Sequence, residues 1–282
     1  MAAFVVLVLA GAITFKVATT GSNTSVGTTV PTITQQTSEA TTTMTTERKS
    51  QTVELPVSGS DQGCSVVLPL SGTTVIGKRV PFPGGQGVVI GMSNGAHIGR
   101  AWVRVARNAG MDWVNAAVGQ HDSADWAANR DGVLDEMQQK APNASAAIVI
   151  LTHRASDANA AALETYRNDL PVILGELAHR LPNLKVVYLQ GRETGQFVVD
   201  PRHKNGEPYA YETNLINRDY AATDHGWPFT VVASPYVWND PTCPRADGFA
   251  LTREDFETDG LHPNKQGSNK IAEQMLAYFE GR

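Results

Sequence analysis

Cysteine is scarce in this chain: Cys64 and Cys243 are the only two among 282 residues, and they lie far apart. They form no C-x-x-C pair and no spaced cluster, which excludes a zinc finger and a dithiol redox motif. In an exported chain the two can join in one disulfide; the alternative is two buried, inert thiols. Basic residues are not clustered and the formal net charge is -5, so a surface that tracks nucleic-acid phosphates is excluded. His97, His121 and His153 are scattered, with no H-E-x-x-H or comparable spacing, and a metal centre is not expected. No apolar run is long enough to span a bilayer comfortably, which takes about 20 residues.

The longest apolar run covers residues 2–15 (AAFVVLVLAGAITF) and is closed by Lys16. Its length suits the core of a signal peptide. Only the terminal amine precedes it as positive charge, and no cleavage site stands out, so a short uncleaved anchor is the alternative. No Cys follows closely, which argues against a lipoprotein. Residues 19–52 are dominated by Thr and Ser without apolar periodicity, the composition of a disordered, stalk-like linker. The expected organisation is a leader or anchor over 1–18, a linker over 19–55 and one folded domain over 56–282. With 41% hydrophobic residues overall, the chain can fill one sizeable core.

Within that domain, apolar β-branched runs alternate with helical patterns. Residues 87–91 (GVVIG), 113–118 (WVNAAV), 146–152 (AAIVILT), 184–189 (LKVVYL) and 229–233 (FTVVA) read as strands. Helices are expected near 98–108, 126–139, 158–180, 211–222 and 265–279. Strands that are apolar throughout and separated by helices predict an α/β fold: a five-stranded parallel sheet in a flavodoxin-like three-layer sandwich. In such sheets ligands bind beyond the carboxyl ends of the strands.

Two short segments at such ends carry chemistry. Ser93 lies in Gly91-Met92-Ser93-Asn94-Gly95, directly after the first strand. A serine on a strand-to-helix turn holds its hydroxyl above the sheet edge, over free helix amides, although turn serines are common in their own right. Asp259-Gly260-Leu261-His262-Pro263 precedes the last helix. An aspartate three positions before a histidine orients the imidazole through Nδ1 and leaves Nε2 to take a proton from a serine. The α/β-hydrolase arrangement fits poorly, because its nucleophile follows several earlier strands and its acid and base come from separate loops.

An early serine and a compact D-x-x-H near the end resemble the SGNH (GDSL-like) hydrolase superfamily. Residues 88–95 (VVIGMSNG) resemble its first block, with G-M-S-N in place of G-D-S-L. Residues 114–126 (VNAAVGQHDSADW) resemble the second block, whose glycine gives a backbone N–H to the oxyanion; here that is Gly119. YLQGRETG, PYAYET, SPYVWND and PRADGFALTREDFETDGLHPNKQG continue the likeness over residues 88–279. The third block normally supplies an asparagine side chain, and here the sequence departs: Ser156 occupies that place, with Asn159 one helical turn on. The resemblance implies Ser93, Asp259 and His262 as catalytic residues. For the oxyanion hole it leaves two alternatives beside Gly119: a side-chain donor from Ser156 or Asn159, or backbone amides alone, from Ser93 or Asn94 and Gly119.

The implied activity is exported ester hydrolysis through an acyl-enzyme, on small-molecule or polysaccharide esters such as O-acetyl groups, with no cofactor or metal. The alternatives are acyl transfer to a glycan with the same triad, and a silent glycan-binding domain. His121, Arg192, Glu193, Tyr236 and Trp238 are positioned as substrate contacts; the competing reading makes them loop polarity, an exposed Arg-Glu pair and packing aromatics. No nucleic-acid partner is expected, and contact with a membrane only through the N-terminal anchor.

Overall fold

Five parallel strands form the centre of the protein, in the order β2-β1-β3-β4-β5. They are β1 (Gln86–Gly91), β2 (Asp112–Asn115), β3 (Ala144–Ile150), β4 (Val186–Leu189) and β5 (Thr230–Val232). This is the flavodoxin-like order, with its topological switch between β1 and β3. The computed structural model describes residues 78–154, 160–200, 206–240, 245 and 247–282, all within the unit Glu54–Arg282. The expected leader and linker, Cys64, Cys243, Ser156 and Asn159 lie outside the described residues.

The strands are buried on both faces, which is why they read as continuous apolar runs rather than alternating ones. Val88, Ile90, Ala147, Val149, Val187 and Leu189 enter one core. Val89, Ala146, Ile148, Ile150, Val186 and Tyr188 enter the other. Helix α1 (Ser93–Asn108) crosses from β1 to β2. Helices α2 (Ser123–Ala127), α3 (Val133–Lys140) and α4 (Ala160–Arg180) follow, then α5 (Gly206–Ala221) and α6 (Lys265–Glu280). Trp126, Leu134, Met137, Tyr166, Leu170, Leu174 and Ile216, from α2 to α5, fill the first core. Ile98 and Trp102 of α1 join Ile271, Met275 and Phe279 of α6 in the second. The result is a three-layer sandwich.

Local chemistry moves several boundaries. The helix expected over 126–139 is two helices, α2 and α3, parted at Asn129 (φ 47°), Asp131 (φ 54°) and Gly132 (φ 73°). Asn, Asp and Gly are the residue types that tolerate left-handed backbone, and here they break the helix. Helix α1 starts at Ser93 rather than near residue 98, because small Gly95 and Gly99 let it lie close to the sheet. Strand β2 ends at Asn115, whose side chain accepts from Ala117 N (3.1 Å) and donates to Ala96 O (3.2 Å).

Gly87 pairs with Trp113 across β1 and β2. The indole lies over it, so that a Cβ there would meet ring atoms at 2.4 Å. Trp113 is itself packed against Trp102 (5.6 Å) and Phe279 (5.9 Å between ring centroids), and has nowhere to retreat. Gly87→Ala is therefore expected to destabilise the domain by about 1–3 kcal/mol through overpacking. A lower urea midpoint at an unchanged m-value checks this.

Candidate active site

The site is assembled from the turn after β1 and the loop before α6. Ser93 is the first residue of α1, and its predecessor Met92 provides no side-chain cap. The N–H groups of the first helical turn point out of the helix without acceptors inside it. The other half is a tight loop. Phe256 bridges to Pro263, Glu257 N donates to His262 O (2.8 Å), and Gly260 N donates to Glu257 O (2.9 Å). Gly260 holds φ +67°, and a Cβ there would run into the Phe197 carbonyl. Only glycine fits such a position. Asn264 then caps α6 by accepting from Gln266 N and Gly267 N.

These two segments place Ser93, His262 and Asp259 in one hydrogen-bonded line. Ser93 Oγ lies 2.9 Å from His262 Nε2, and His262 Nδ1 lies 2.6 Å from Asp259 Oδ2. Asp259 Oδ1 accepts from Leu261 N (2.9 Å) and His262 N (3.1 Å). An ionised carboxylate accepts only, so Nδ1 carries the ring proton and Nε2 is left to accept from the serine hydroxyl. Burial works against ionisation of Asp259, but its hydrogen bonds to His262 and Leu261 outweigh it and hold the carboxyl below 3.8. The His262 side chain is 26% exposed, so the line is open to a ligand.

His97, one helical turn beyond Ser93, has its ring centroid 5.7 Å from that of His262. Burial first, then the charges of Arg100 and His262, lower its pKa below 6.5. It is thus a neutral neighbour, and the i,i+4 spacing from Ser93 is the sequence signal that locates it.

Around the line, the expected contributors separate. Gly119 lies after β2, and its N–H donates to no protein group among the described residues. The Asn94 side chain is buried and bonded to Glu193 and to Leu261 O. That leaves Asn94 only its backbone N–H for an oxyanion. His121 Nδ1 is 3.1 Å from Gly119 O and Nε2 is 3.0 Å from Asp131 Oδ2, which engages both nitrogens. Together with Arg154, which donates to Gln120 O, it holds a turn in which Gln120 has φ 68°. His153 stands apart, with Nδ1 3.5 Å from Asp122.

The residues after β4 and β5 correct the expectation. Tyr236 and Trp238 are 0% and 4% exposed and pack with Ala210 and Tyr211 in a cluster of their own. Their large apolar faces are spent on packing, so they offer no surface to a ligand. Arg192 and Glu193 are not an exposed pair either: both are buried, with Arg192 Nη2 3.6 Å from Glu193 Oε1. Residue pattern alone also misses Glu207. Its carboxylate accepts from Thr194 Oγ1 (2.9 Å), Gly195 N and Trp238 Nε1, and holds the loop after β4. Burial, against those three donors, pushes its carboxyl up to about 7.

The model for the GDSL-like lipase/acylhydrolase family matches residues 85–275. The chain belongs to the GDSL-like lipase/acylhydrolase family. The matched stretch runs from β1 into α6 and contains Ser93, Gly119, Asp259 and His262. No curated protein matches the chain. Among solved structures, the GDSL-like domain is similar to a protein from Slackia heliotrinireducens described as an SGNH hydrolase. That pair shares 13% identity with a TM-score of 0.48, over 70% of this chain and 100% of the other. A carbohydrate esterase family 3 structure from Talaromyces cellulolyticus shares 16% identity with a TM-score of 0.47, over 70% and 99%. The periplasmic domain of a lipopolysaccharide acetyltransferase from Salmonella ser. Paratyphi A shares 12% with a TM-score of 0.43, over 71% and 84%.

Both partners of the His121 ring are acceptors, so both bonds are made only by the imidazolium. Burial lowers its pKa, but the bonds to Gly119 O and Asp131, with the charge of Asp125, raise it above 6.5 overall. A raised pKa contributes stability that is complete below the unfolded value and is lost as pH rises through the folded one. Urea midpoints are expected to decline as pH rises above about 6.5 in the wild type and less steeply in His121→Gln; parallel pH profiles would contradict this.

Proposed function

We propose that the chain is an exported serine esterase that cleaves acyl esters through an acyl-enzyme. The observation that carries this reading is the line from Ser93 Oγ through His262 to Asp259, at 2.9 and 2.6 Å. Such a line turns a hydroxyl into a nucleophile. Ser93 Oγ attacks the ester carbonyl as its proton passes to His262 Nε2. Asp259 stays ionised and stabilises the imidazolium. The negative charge on the former carbonyl oxygen falls to the N–H of Gly119 and to the free amides that open α1. As the tetrahedral species collapses, the C–O bond to the alcohol breaks and His262 returns the proton to the departing oxygen. Water, deprotonated by His262, then attacks the acyl carbon; the bond to Ser93 Oγ breaks, His262 returns the proton to Oγ, and the acid is released.

Export is supported by the apolar run at 2–15 and the Thr/Ser-rich stretch after it. These form a leader or anchor (1–18) and a linker (19–55) that present the domain outside the cytoplasm. The substrate is a small-molecule or polysaccharide ester, with O-acetyl groups the first class to try. Ser93, Asp259 and His262 do the chemistry, and no cofactor takes part.

Covalent labelling by a fluorophosphonate and release of nitrophenol from p-nitrophenyl acetate test this reading. Ser93→Ala and His262→Ala are expected to abolish labelling and to lower turnover roughly 10³-fold or more, with the circular dichroism spectrum unchanged. A folded wild-type protein that neither labels nor turns over would rule the esterase reading out.

A further inference from the structure

Ser93 and His262 lie 169 positions apart in the chain, yet the contact between them is 2.9 Å. A contact of that kind loses its use with a drift of about 1 Å. The side chain of Asn94 spans the two segments that supply it. Its amide nitrogen has two hydrogens to give. One goes to the carbonyl of Leu261, 3.0 Å away in the residue before His262. The other goes to Oε1 of Glu193, in the loop after β4. Both partners are acceptors, so Nδ2 must face them, and Oδ1 then turns toward Ser93 Oγ at 3.5 Å.

Glu193 is 0% exposed. Its second oxygen, Oε2, has no hydrogen-bond partner among the described residues, and the cation paired with Glu193 there is Arg192, whose Nη2 lies 3.6 Å from Oε1. Burying a carboxylate is unfavourable unless it is well compensated, and among the described residues this one makes a single hydrogen bond, to a side chain next to the nucleophile. A charged acceptor makes that bond roughly twice as strong as a neutral one would.

We propose that Glu193 is a positioning residue for the serine–histidine couple. Acting through Asn94, it fixes the turn that bears Ser93 against the loop that bears His262. The role rests on the esterase reading above, and its test is chosen to separate the two. Glu193→Gln, Glu193→Ala, Asn94→Asp and the double variant Asn94→Asp/Glu193→Gln are compared by kcat and KM. The ¹⁵N shifts of the His262 ring, which report its tautomer and hydrogen bonds without any turnover, are recorded in parallel.

Glu193→Ala is expected to lower kcat by roughly 10- to 100-fold while KM moves less than about 2-fold. Glu193→Gln keeps the acceptor oxygen and replaces the idle one, so its loss stays under about 5-fold. Asn94→Asp sets two carboxylates face to face and falls further than Glu193→Ala. In the double variant the glutamine amide donates to the new carboxylate while the Leu261 carbonyl stays without its donor, so recovery is partial, about 3-fold or more over Asn94→Asp. The His262 shifts depart from wild type in Glu193→Ala and Asn94→Asp and return toward it in the double variant. Wild-type kcat and wild-type shifts in Glu193→Ala, or no recovery in the double variant, would overturn the role. A wild type that never turns over defeats the esterase reading alone, since the ring shifts still decide whether Glu193 positions His262. If Glu193→Ala does not fold, recovery in the double variant carries the decision.

Discussion

An imidazole can take a proton from a serine only while it is neutral, holds its own proton on the far nitrogen, and keeps its face fixed. The 2.6 Å hydrogen bond from His262 Nδ1 to Asp259 Oδ2 meets the last two conditions together, and the rest of the site depends on it. Asp259 supplies it at little cost because it is three residues away, in a loop whose backbone it also holds through Leu261 N and His262 N. The loop in turn closes only because Gly260 takes positive φ against the Phe197 carbonyl. A neutral His97 alongside adds no opposing charge to the imidazolium that the proposed reaction forms.

The sheet order explains why these pieces meet. With strands in the order β2-β1-β3-β4-β5, the chain switches direction between β1 and β3, and the first turn opens at that switch. Ser93 sits there, over the uncapped amides of α1. Gly119, after the neighbouring β2, and the loop before α6 come to the same edge. Helices α1 and α6 share one core, through Trp102, Met275 and Phe279, so the element that bears the serine and the element that follows the histidine are packed as one layer. Burial of the second core thereby sets the distance between nucleophile and base.

Most of the fold was legible in the sequence, because parallel strands buried on both faces give apolar runs that period and composition reveal. The break between α2 and α3 was harder to read. It depends on Asn129 and Asp131 accepting left-handed backbone, which those residues permit but do not require. At the site, the spacing of Asp259 and His262 and the turn around Ser93 stood out because they are local. What was not legible is long-range. Nothing near Glu193 in sequence points to Asn94, and nothing around Tyr236 or Trp238 separates a packed aromatic from an exposed one. Arg192 and Glu193 read as a surface pair because charged residues are seldom fully buried; here they are enclosed. Ser156 and Asn159, where the sequence departs from the family's third block, lie outside the described residues.

The proposed reaction requires that Ser93 become covalently acylated. Acid quenching within the first turnover of p-nitrophenyl acetate, followed by peptide mass mapping, tests it most directly. One acetyl group is expected on the peptide containing Ser93, absent from Ser93→Ala and accumulating when deacylation is slow. Turnover with no acyl group on Ser93, or with the acyl group on another side chain, would contradict it.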